Sequence, residues 1–229
     1  MFKAVLFDLD GTLGDTLPLC VSAFHRAMEP MLGRSLTDEE ILATFGPSEE
    51  GTVTILLETD ERFRRLPPEE RRVREEEALD AYLRWYRELH STFSPRPFEG
   101  MVELLHRLKA AGIVLGLVTG KGPKSCAISL AEYGIADLFD QVETGSPAML
   151  DKPAGIRRIL DRRGIRPEEA VYVGDMPSDI RAARSVGMEP LAAAWASTAR
   201  RDDLLQENPP AVIDTVADLA RRLFPCKET

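Results

Sequence analysis

The sequence has few cysteines, few histidines and no long apolar run. Cys20, Cys126 and Cys226 are the only cysteines in 229 residues, and none of them belongs to a CxxC pair. Neither a disulfide framework nor a zinc site is therefore indicated, which fits a reducing compartment. The most apolar run, Ile113–Val118, is far shorter than the roughly 20 residues of a membrane-spanning helix.

The N-terminus also lacks the features of a signal peptide. Its apolar stretch is short and meets Asp8 and Asp10 almost at once. We therefore expect a cytoplasmic protein that does not act at a membrane.

An excess of positive charge is absent as well. The chain has 29 lysines and arginines against 38 aspartates and glutamates, which gives a net charge of −9. The arginines between residues 62 and 87 alternate with glutamates, a pattern typical of a solvated helix with i,i+4 ion pairs. A nucleic acid would be repelled, so we expect no nucleic-acid partner. The 44% apolar and 29% charged content is that of a globular protein with one large domain or two modest ones.

Short apolar runs alternate with helical segments over most of the chain. The predicted strands are Lys3–Phe7, Ile113–Val118, Ala170–Val173, Pro190–Ala194 and Ala211–Ile213. The clearest helices between them are Val102–Ala111, Pro123–Tyr133, Pro153–Arg163 and Pro177–Val186. Each of these helices is followed by a glycine and three begin with a proline, as is usual at helix ends. This alternation predicts an α/β fold with a parallel sheet.

The stretch between residues 15 and 95 has no convincing strand pattern. It contains helical segments near Pro18–Met31, Thr37–Ala43, Ser48–Leu57 and Pro68–His90. Residues 91–97 are rich in proline and suit a linker. We therefore predict an all-helical domain of residues 15–95, inserted into a core domain made of residues 1–14 and 96–229.

Two aspartates follow the first predicted strand directly. On an extended chain Asp8 and Asp10 project to the same side, at the edge where open α/β sheets bind ligands. Two carboxylates so close together favour a cation between them, and oxygen ligands favour Mg2+.

Three later stretches carry similar chemistry at predicted strand or helix ends. Thr119 and Gly120 offer a hydroxyl and a backbone N–H where a helix begins, which suits an anion. Lys152 comes immediately before a helix that starts with proline, and Asp175 and Asp179 follow another strand. Each stretch alone is common in proteins, but together they predict one site for an anionic ligand and a metal.

These stretches resemble the four ordered motifs of the haloacid dehalogenase (HAD) superfamily. The matching residues are Asp8-Leu9-Asp10-Gly11-Thr12, Thr119-Gly120, Lys152-Pro153 and Gly174-Asp175-Met176-Pro177-Ser178-Asp179. The resemblance is to the branch that contains phosphoglycolate phosphatases and β-phosphoglucomutases. It implies a Rossmann-like core with an inserted helical cap, and a phosphatase that acts on a small phosphorylated metabolite. For the oligomeric state we expect a monomer or a homodimer, between which the sequence does not decide.

The resemblance also implies roles for the motif residues. Asp8 would be the nucleophile that forms an aspartyl-phosphate, and Asp10 would be the general acid and base. Thr119, the Gly120 N–H and Lys152 would bind the phosphate oxygens. The catalytic residues implied are Asp8, Asp10, Thr119 and Lys152.

The implied metal is Mg2+. It would be held by the carboxylate of Asp8, the backbone carbonyl of Asp10 and the carboxylate of Asp175. Asp179 would lie behind these ligands and orient Lys152 or a metal-bound water.

Two departures from the mutases of this branch favour hydrolysis. Where those mutases carry a histidine in the first cap helix and an arginine in the cap loop, this chain has Cys20 and Glu49. A mutase must hold a bisphosphate with cationic cap groups, and glutamate would do the opposite. A sugar-phosphate mutase remains the alternative within enzymes. A non-catalytic module that binds a phosphometabolite is the alternative outside them, but it predicts a broken motif.

Cys20 and Glu49 are also the candidate specificity residues of the cap. Glu49 lies in the first turn of a predicted helix, where an acid complements the helix dipole without touching a substrate. An alternative hypothesis is that Glu49 faces the site and favours a leaving group that is neutral or carries an amine.

The three histidines and Cys126 are assigned no chemistry. His25, His90 and His106 lie in predicted helices without a paired carboxylate or cysteine, so we expect surface or packing roles. Cys126 is expected to be buried.

Overall fold

Six strands form one parallel sheet in the computed structural model, which describes residues 2–148 and 151–224. The order across the sheet is β3-β2-β1-β4-β5-β6. The strands are β1 (Ala4–Phe7), β2 (Val114–Val118), β3 (Gln141–Glu143), β4 (Ala170–Gly174), β5 (Glu189–Ala193) and β6 (Val212–Ile213). The predicted α/β fold with a Rossmann-like parallel sheet is confirmed.

Helices account for most of the remaining described chain. They are α1 (Leu17–Leu32), α2 (Asp38–Leu42), α3 (Glu49–Leu57), α4 (Glu61–Arg64), α5 (Pro68–Phe93), α6 (Met101–Ala110), α7 (Pro123–Glu132), α8 (Lys152–Arg163), α9 (Pro177–Ser185), α10 (Arg201–Gln206) and α11 (Val216–Leu223). No helix within the described residues combines the length and apolar character that a membrane span requires.

Strand β1 lies in the middle of the sheet and is apolar on both faces. Val5 and Phe7 pack in one cluster with α6, α7 and α11. Ala4 and Leu6 pack on the opposite face with α8 and α9. Because side chains alternate along a strand, this continuous apolar run is what a strand covered by helices on both faces requires. The residues that follow β1 therefore emerge from the centre of the sheet.

The helices between β1 and α6, residues 17–93, form what we call the helical insert. The buried residues of α5 are Ala78, Tyr82, Tyr86 and His90, which repeat every four positions and so share one face. This face packs mainly against α1, where the ring of Phe24 lies 4.3 Å from that of Tyr82. The exposed surface of α5 carries ion pairs, as the alternating arginines and glutamates predicted.

The helical insert contacts the rest of the chain at α7 and at the loop that follows β3. The Ser48 N–H donates to the carbonyl of Ser146 at 3.0 Å. Tyr86 Oη and Ser129 Oγ share a hydrogen bond of 2.7 Å, and Ile128 belongs to the apolar cluster of the insert. These contacts hold the insert over the carboxyl ends of β1 and β2.

Several short elements were not predicted from the sequence. Strand β3 has three residues, of which Gln141 and Glu143 are polar, and it lies at the edge of the sheet, so no apolar run marks it. Helices α4, α10 and α11 have four to eight residues and were also missed.

Candidate active site

Asp8 and Asp10 both line one cavity at the end of β1, but different groups hold them. The Asp8 carboxylate accepts from its neighbour's N–H, that of Leu9, at 2.8 Å and faces Lys152. The Asp10 carboxylate accepts from the hydroxyl of Thr16 and lies 3.1 Å from Lys121 Nζ. Asp8 is therefore fixed by the sheet side of the cavity and Asp10 by groups next to the helical insert.

Lys152 joins two carboxylates in the interior. It is the first residue of α8, and its Nζ lies 2.8 Å from Asp8 Oδ2 and also donates to Asp179 Oδ1. Burial lowers the pKa of Lys152, but the charges of Asp179 and Asp8 outweigh that effect and hold the pKa well above its ordinary value. The lysine is therefore a permanent cation beside Asp8.

Three buried carboxylates form a cluster around this lysine. One oxygen each of Asp8, Asp175 and Asp179 lies within 4.8 Å of the other two. Burial raises the pKa of Asp8 to about 6, against the charge of Lys152. Burial and the charges of Asp8 and Asp179 raise the pKa of Asp175 well above its ordinary value.

The cluster has the composition that a hard divalent cation needs. All its donors are carboxylate oxygens, and one lysine cannot balance three buried acids. Gly11 has φ +73° and lies so close to the carboxylate of Asp175 that a Cβ would collide with it. The loop after β1 therefore has to be glycine there to reach the cluster.

Thr119 and Gly120 line the same cavity from the end of β2. Thr119 is fully buried, and its Oγ1 accepts from the N–H of Lys121 at 3.2 Å. The loop after β3 approaches so closely that a Cβ on Gly145 would collide with the carbonyl of Gly120. Strand β3, which was not predicted, and the loop after it therefore pack against the turn that carries Thr119.

Lys121 is a site residue that sequence reasoning missed. It is almost completely buried, and its Nζ lies 3.1 Å from Asp10 Oδ1, 3.4 Å from Glu49 Oε1 and 3.2 Å from Cys20 Sγ. Burial lowers the pKa of Lys121, but the charge of Asp10 above all raises it well above its ordinary value. The only sequence signal was its position directly after Thr119 and Gly120, within a turn already assigned to the site.

Glu49 ties the helical insert to α7. Its carboxylate accepts from the Gly122 N–H and from Ser125 Oγ, each at 2.5 Å. These donors lie at the N-terminus of α7, so the hydrogen bonds of Glu49 go to that helix and not to its own. A Cβ on Gly122 would lie 2.5 Å from Glu49 Oε2, so this close contact requires glycine.

The cavity between these groups has a volume of about 210 Å³. Its floor carries the charged groups and the Thr119 turn, which are Asp8, Asp10, Thr119, Gly120, Lys121 and Lys152. The helical insert supplies the opposite wall, which is Cys20, Phe24, Phe45, Gly46, Pro47, Ser48, Glu49, Thr52 and Tyr82. The cavity is small; its charged groups lie on the sheet side, and three of the nine residues on the insert side, Phe24, Phe45 and Tyr82, are aromatic.

A family model described as haloacid dehalogenase-like hydrolase matches residues 5–193. The chain belongs to this family. It is 31% identical to pyrophosphatase PpaX of Bacillus velezensis over 84% of this chain and 83% of that one. It is 28% identical to the phosphoglycolate phosphatase of Synechococcus elongatus over 96% of this chain and all of that one.

Solved structures agree with this HAD-type fold. CbbY from Rhodobacter sphaeroides, solved in complex with phosphate, superposes with a TM-score of 0.75 over 96% of each chain at 22% identity. The family match and the relatives named phosphoglycolate phosphatase and pyrophosphatase together identify this chain as a HAD-type phosphatase.

In this HAD-type phosphatase, the acid cluster among the described residues differs slightly from the predicted set of metal ligands. The cluster holds the side chains of Asp8, Asp175 and Asp179, whereas the prediction took its third ligand from the Asp10 carbonyl. Asp179 also accepts from Lys152, the contact that the prediction gave it. The ligand assignment therefore stays a prediction.

The premise that the histidines have no paired carboxylate is wrong for His25, although the expected surface role is not contradicted. His25 Nδ1 lies 3.0 Å from Glu29, one turn further along α1, and its Nε2 lies 2.7 Å from Asp38. The sequence hid the second partner because the turn between α1 and α2 brings Asp38 back over α1. His90 and Cys126 are buried, and His106 is exposed.

Proposed function

We propose that this chain hydrolyses a small phosphomonoester with the help of Mg2+ and through an aspartyl-phosphate on Asp8. The observation that carries the proposal is the Asp8 carboxylate itself. It is buried, lies 2.8 Å from Lys152 and shares a cavity with Thr119 and Gly120. The relatives named phosphoglycolate phosphatase and pyrophosphatase support phosphoryl transfer.

In the first step an Asp8 oxygen attacks phosphorus and the bond to the leaving oxygen breaks. Asp10 gives its proton to that oxygen, so the alcohol departs neutral. In the second step Asp10 takes a proton from water, the water oxygen bonds to phosphorus and the bond to Asp8 breaks. Lys121 and Thr16 hold the Asp10 carboxylate in place for both proton transfers.

Thr119, the Gly120 N–H and Lys152 would bind the non-bridging phosphate oxygens, whose charge must be stabilised during transfer. Asp179 would hold Lys152 at the right position through their hydrogen bond. The catalytic residues in this proposal are Asp8, Asp10, Thr119 and Lys152.

Mg2+ would be held by Asp8, the Asp10 carbonyl and Asp175, and the buried acid cluster fits such an ion. When bound, it would neutralise the acids so that an anionic phosphate can approach Asp8. Residues 15–95 would act as a cap domain that shields the reaction from water, over a core of residues 1–14 and 96–229.

A mutase is the second candidate, and the insert wall argues against it. Among the described residues that line the cavity from the insert, none is a lysine, arginine or histidine. A second phosphate would therefore meet Cys20 and Glu49 in place of a cation. A non-catalytic binding module is disfavoured because the residues of all four motifs meet around one site.

The test is phosphate release from a panel of small phosphomonoesters, with and without Mg2+. Asp8→Asn should lower turnover at least about a thousandfold, because the nucleophile is lost. Asp137→Asn, an exposed residue outside the site, is the matched control and should keep full activity. Isomerisation of β-glucose 1-phosphate without phosphate release would establish the mutase, and silence in both assays would contradict catalysis.

A further inference from the structure

Tyr172 carries a hydroxyl at a position where packing alone would be met by phenylalanine. It lies in β4 and is fully buried. The other buried residues of its apolar cluster are alanines, leucines, isoleucines, a valine and a methionine. Moving a hydroxyl from water into such surroundings is costly unless it is hydrogen-bonded. The partner of this hydroxyl therefore indicates what it does.

That partner is the backbone in front of Thr119. The Tyr172 hydroxyl donates to the carbonyl of Val118, the last residue of β2, at 2.7 Å. The N–H of Thr119 donates to the carbonyl of Glu143 at 3.0 Å. The peptide unit between Val118 and Thr119 is thus held at its oxygen by β4 and at its nitrogen by β3. Because a peptide unit is planar, these two bonds fix the direction in which the chain enters Thr119.

The ring of Tyr172 lies beside a second group of the site. Lys152 Nζ is 5.9 Å from the centre of the ring, a distance at which a cation over an aromatic face is still attracted. Burial raises the pKa of Tyr172 well above its ordinary value, so the phenol stays protonated and donates to the Val118 carbonyl. One side chain therefore supports both Thr119 and Lys152 from behind.

We propose that Tyr172 is a positioning residue for phosphoryl transfer, whose hydroxyl holds Thr119 where the threonine can bind a phosphate oxygen. The inference rests on the proposed function, which assigns phosphate binding to Thr119. Among the described residues Tyr172 is not one of those that line the cavity, so it acts through Thr119 and does not touch the substrate. A donor to the phosphate acts most strongly on the charge that develops during transfer. A displaced Thr119 should therefore slow the reaction more than it weakens binding.

Tyr172→Phe isolates the hydroxyl, because it keeps the ring beside Lys152. Hydrolysis is measured with p-nitrophenyl phosphate and with the fastest substrate of the panel, at a temperature where every variant is folded. The variant should lower kcat about tenfold and leave KM within about twofold.

Tyr86→Phe is the matched control. It also removes a buried tyrosine hydroxyl with a hydrogen bond of 2.7 Å, in this case to Ser129. It should lower the thermal midpoint about as much as Tyr172→Phe does, but leave kcat within about twofold. A merely structural role for Tyr172 would lower both midpoints and change neither kcat.

A second comparison asks whether the hydroxyl acts through Thr119. Thr119→Ala should lower kcat about a hundredfold, because it removes a donor to the phosphate. If Tyr172 acts by placing that donor, Tyr172→Phe should lower the kcat of Thr119→Ala by about threefold or less, in place of tenfold.

The results distinguish this inference from the proposed function. A tenfold loss of kcat in Tyr172→Phe that shrinks in the Thr119→Ala background supports the positioning role. Unchanged kcat in Tyr172→Phe, an equal loss in Tyr86→Phe, or a full tenfold effect in the Thr119→Ala background would overturn it, while an inactive Asp8→Asn would leave the proposed function standing. Turnover that survives in Asp8→Asn would overturn the proposed function and this inference with it.

Discussion

The contact between Glu49 and Ser125 gives a quantitative prediction about how the helical insert is held on α7. Glu49→Ala removes both acceptor oxygens, and it removes the charge that faces Lys121 at 3.4 Å. A hydrogen bond to a charged group contributes about 1.5–3 kcal/mol. With both hydrogen bonds and the ion pair lost, we expect the free energy of unfolding to fall by about 3–5 kcal/mol.

Ser125→Ala removes one of the two hydrogen bonds and should cost about 1–2 kcal/mol. Because both variants lose the same bond, the double variant should cost less than their sum by about 1–2 kcal/mol. Urea unfolding of the wild type, both single variants and the double variant measures this coupling. Glu50→Gln is the control, since Glu50 bonds to Ser48 within the insert and should act additively with Ser125→Ala. Additivity of Glu49 and Ser125 within about 0.3 kcal/mol would refute the reasoning.

Three further predictions concern the metal, pH and the phosphate loop. Asp175→Asn removes a carboxylate charge from the buried cluster and should raise the Mg2+ concentration needed for half-maximal activity about tenfold or more, which a Mg2+ titration checks. Burial lowers the pKa of His25, but hydrogen bonds to Asp38 and Glu29 raise it above 6.5. The stability that these ion pairs contribute is therefore complete below pH 6.5 and is lost as the pH rises through the raised pKa. His25→Gln should therefore cost about 0.5–1 kcal/mol at pH 5.5 and less at pH 9, as thermal unfolding at both values will show. Gly145→Ala would push away the carbonyl of Gly120 and should lower activity about a hundredfold while circular dichroism stays unchanged.

The sequence predicted the sheet and the motif residues because both have local signals. Apolar runs of four to six residues mark the central strands. Asp8 and Thr119 follow two of these runs directly, and Asp175 follows a third after one glycine. Parallel strands end at one edge, so residues far apart in the chain were predicted to share a site. Strand β3 was missed because it lies at the edge of the sheet, where its half-exposed polar residues leave no apolar run.

Contacts between the insert and the core could not be predicted in the same way. From the sequence alone Lys121 resembles an ordinary surface lysine, but in the structure the packing of α1 and α3 buries it against Asp10 and Glu49. The Tyr82 hydroxyl, which has no hydrogen-bond partner among the residues that the structure describes, is likewise marked by no sequence pattern. Such features depend on how two clusters of helices and strands meet, which no local pattern records.

The covalent intermediate is the most direct test of the account. The enzyme is mixed with a turned-over phosphomonoester and Mg2+, quenched in acid within milliseconds, digested and examined by mass spectrometry. The account predicts one phosphoryl group on the peptide that contains Asp8, at that side chain, and none in Asp8→Asn. A phosphoryl group on another residue, or rapid hydrolysis in which Asp8 is never labelled, would contradict it.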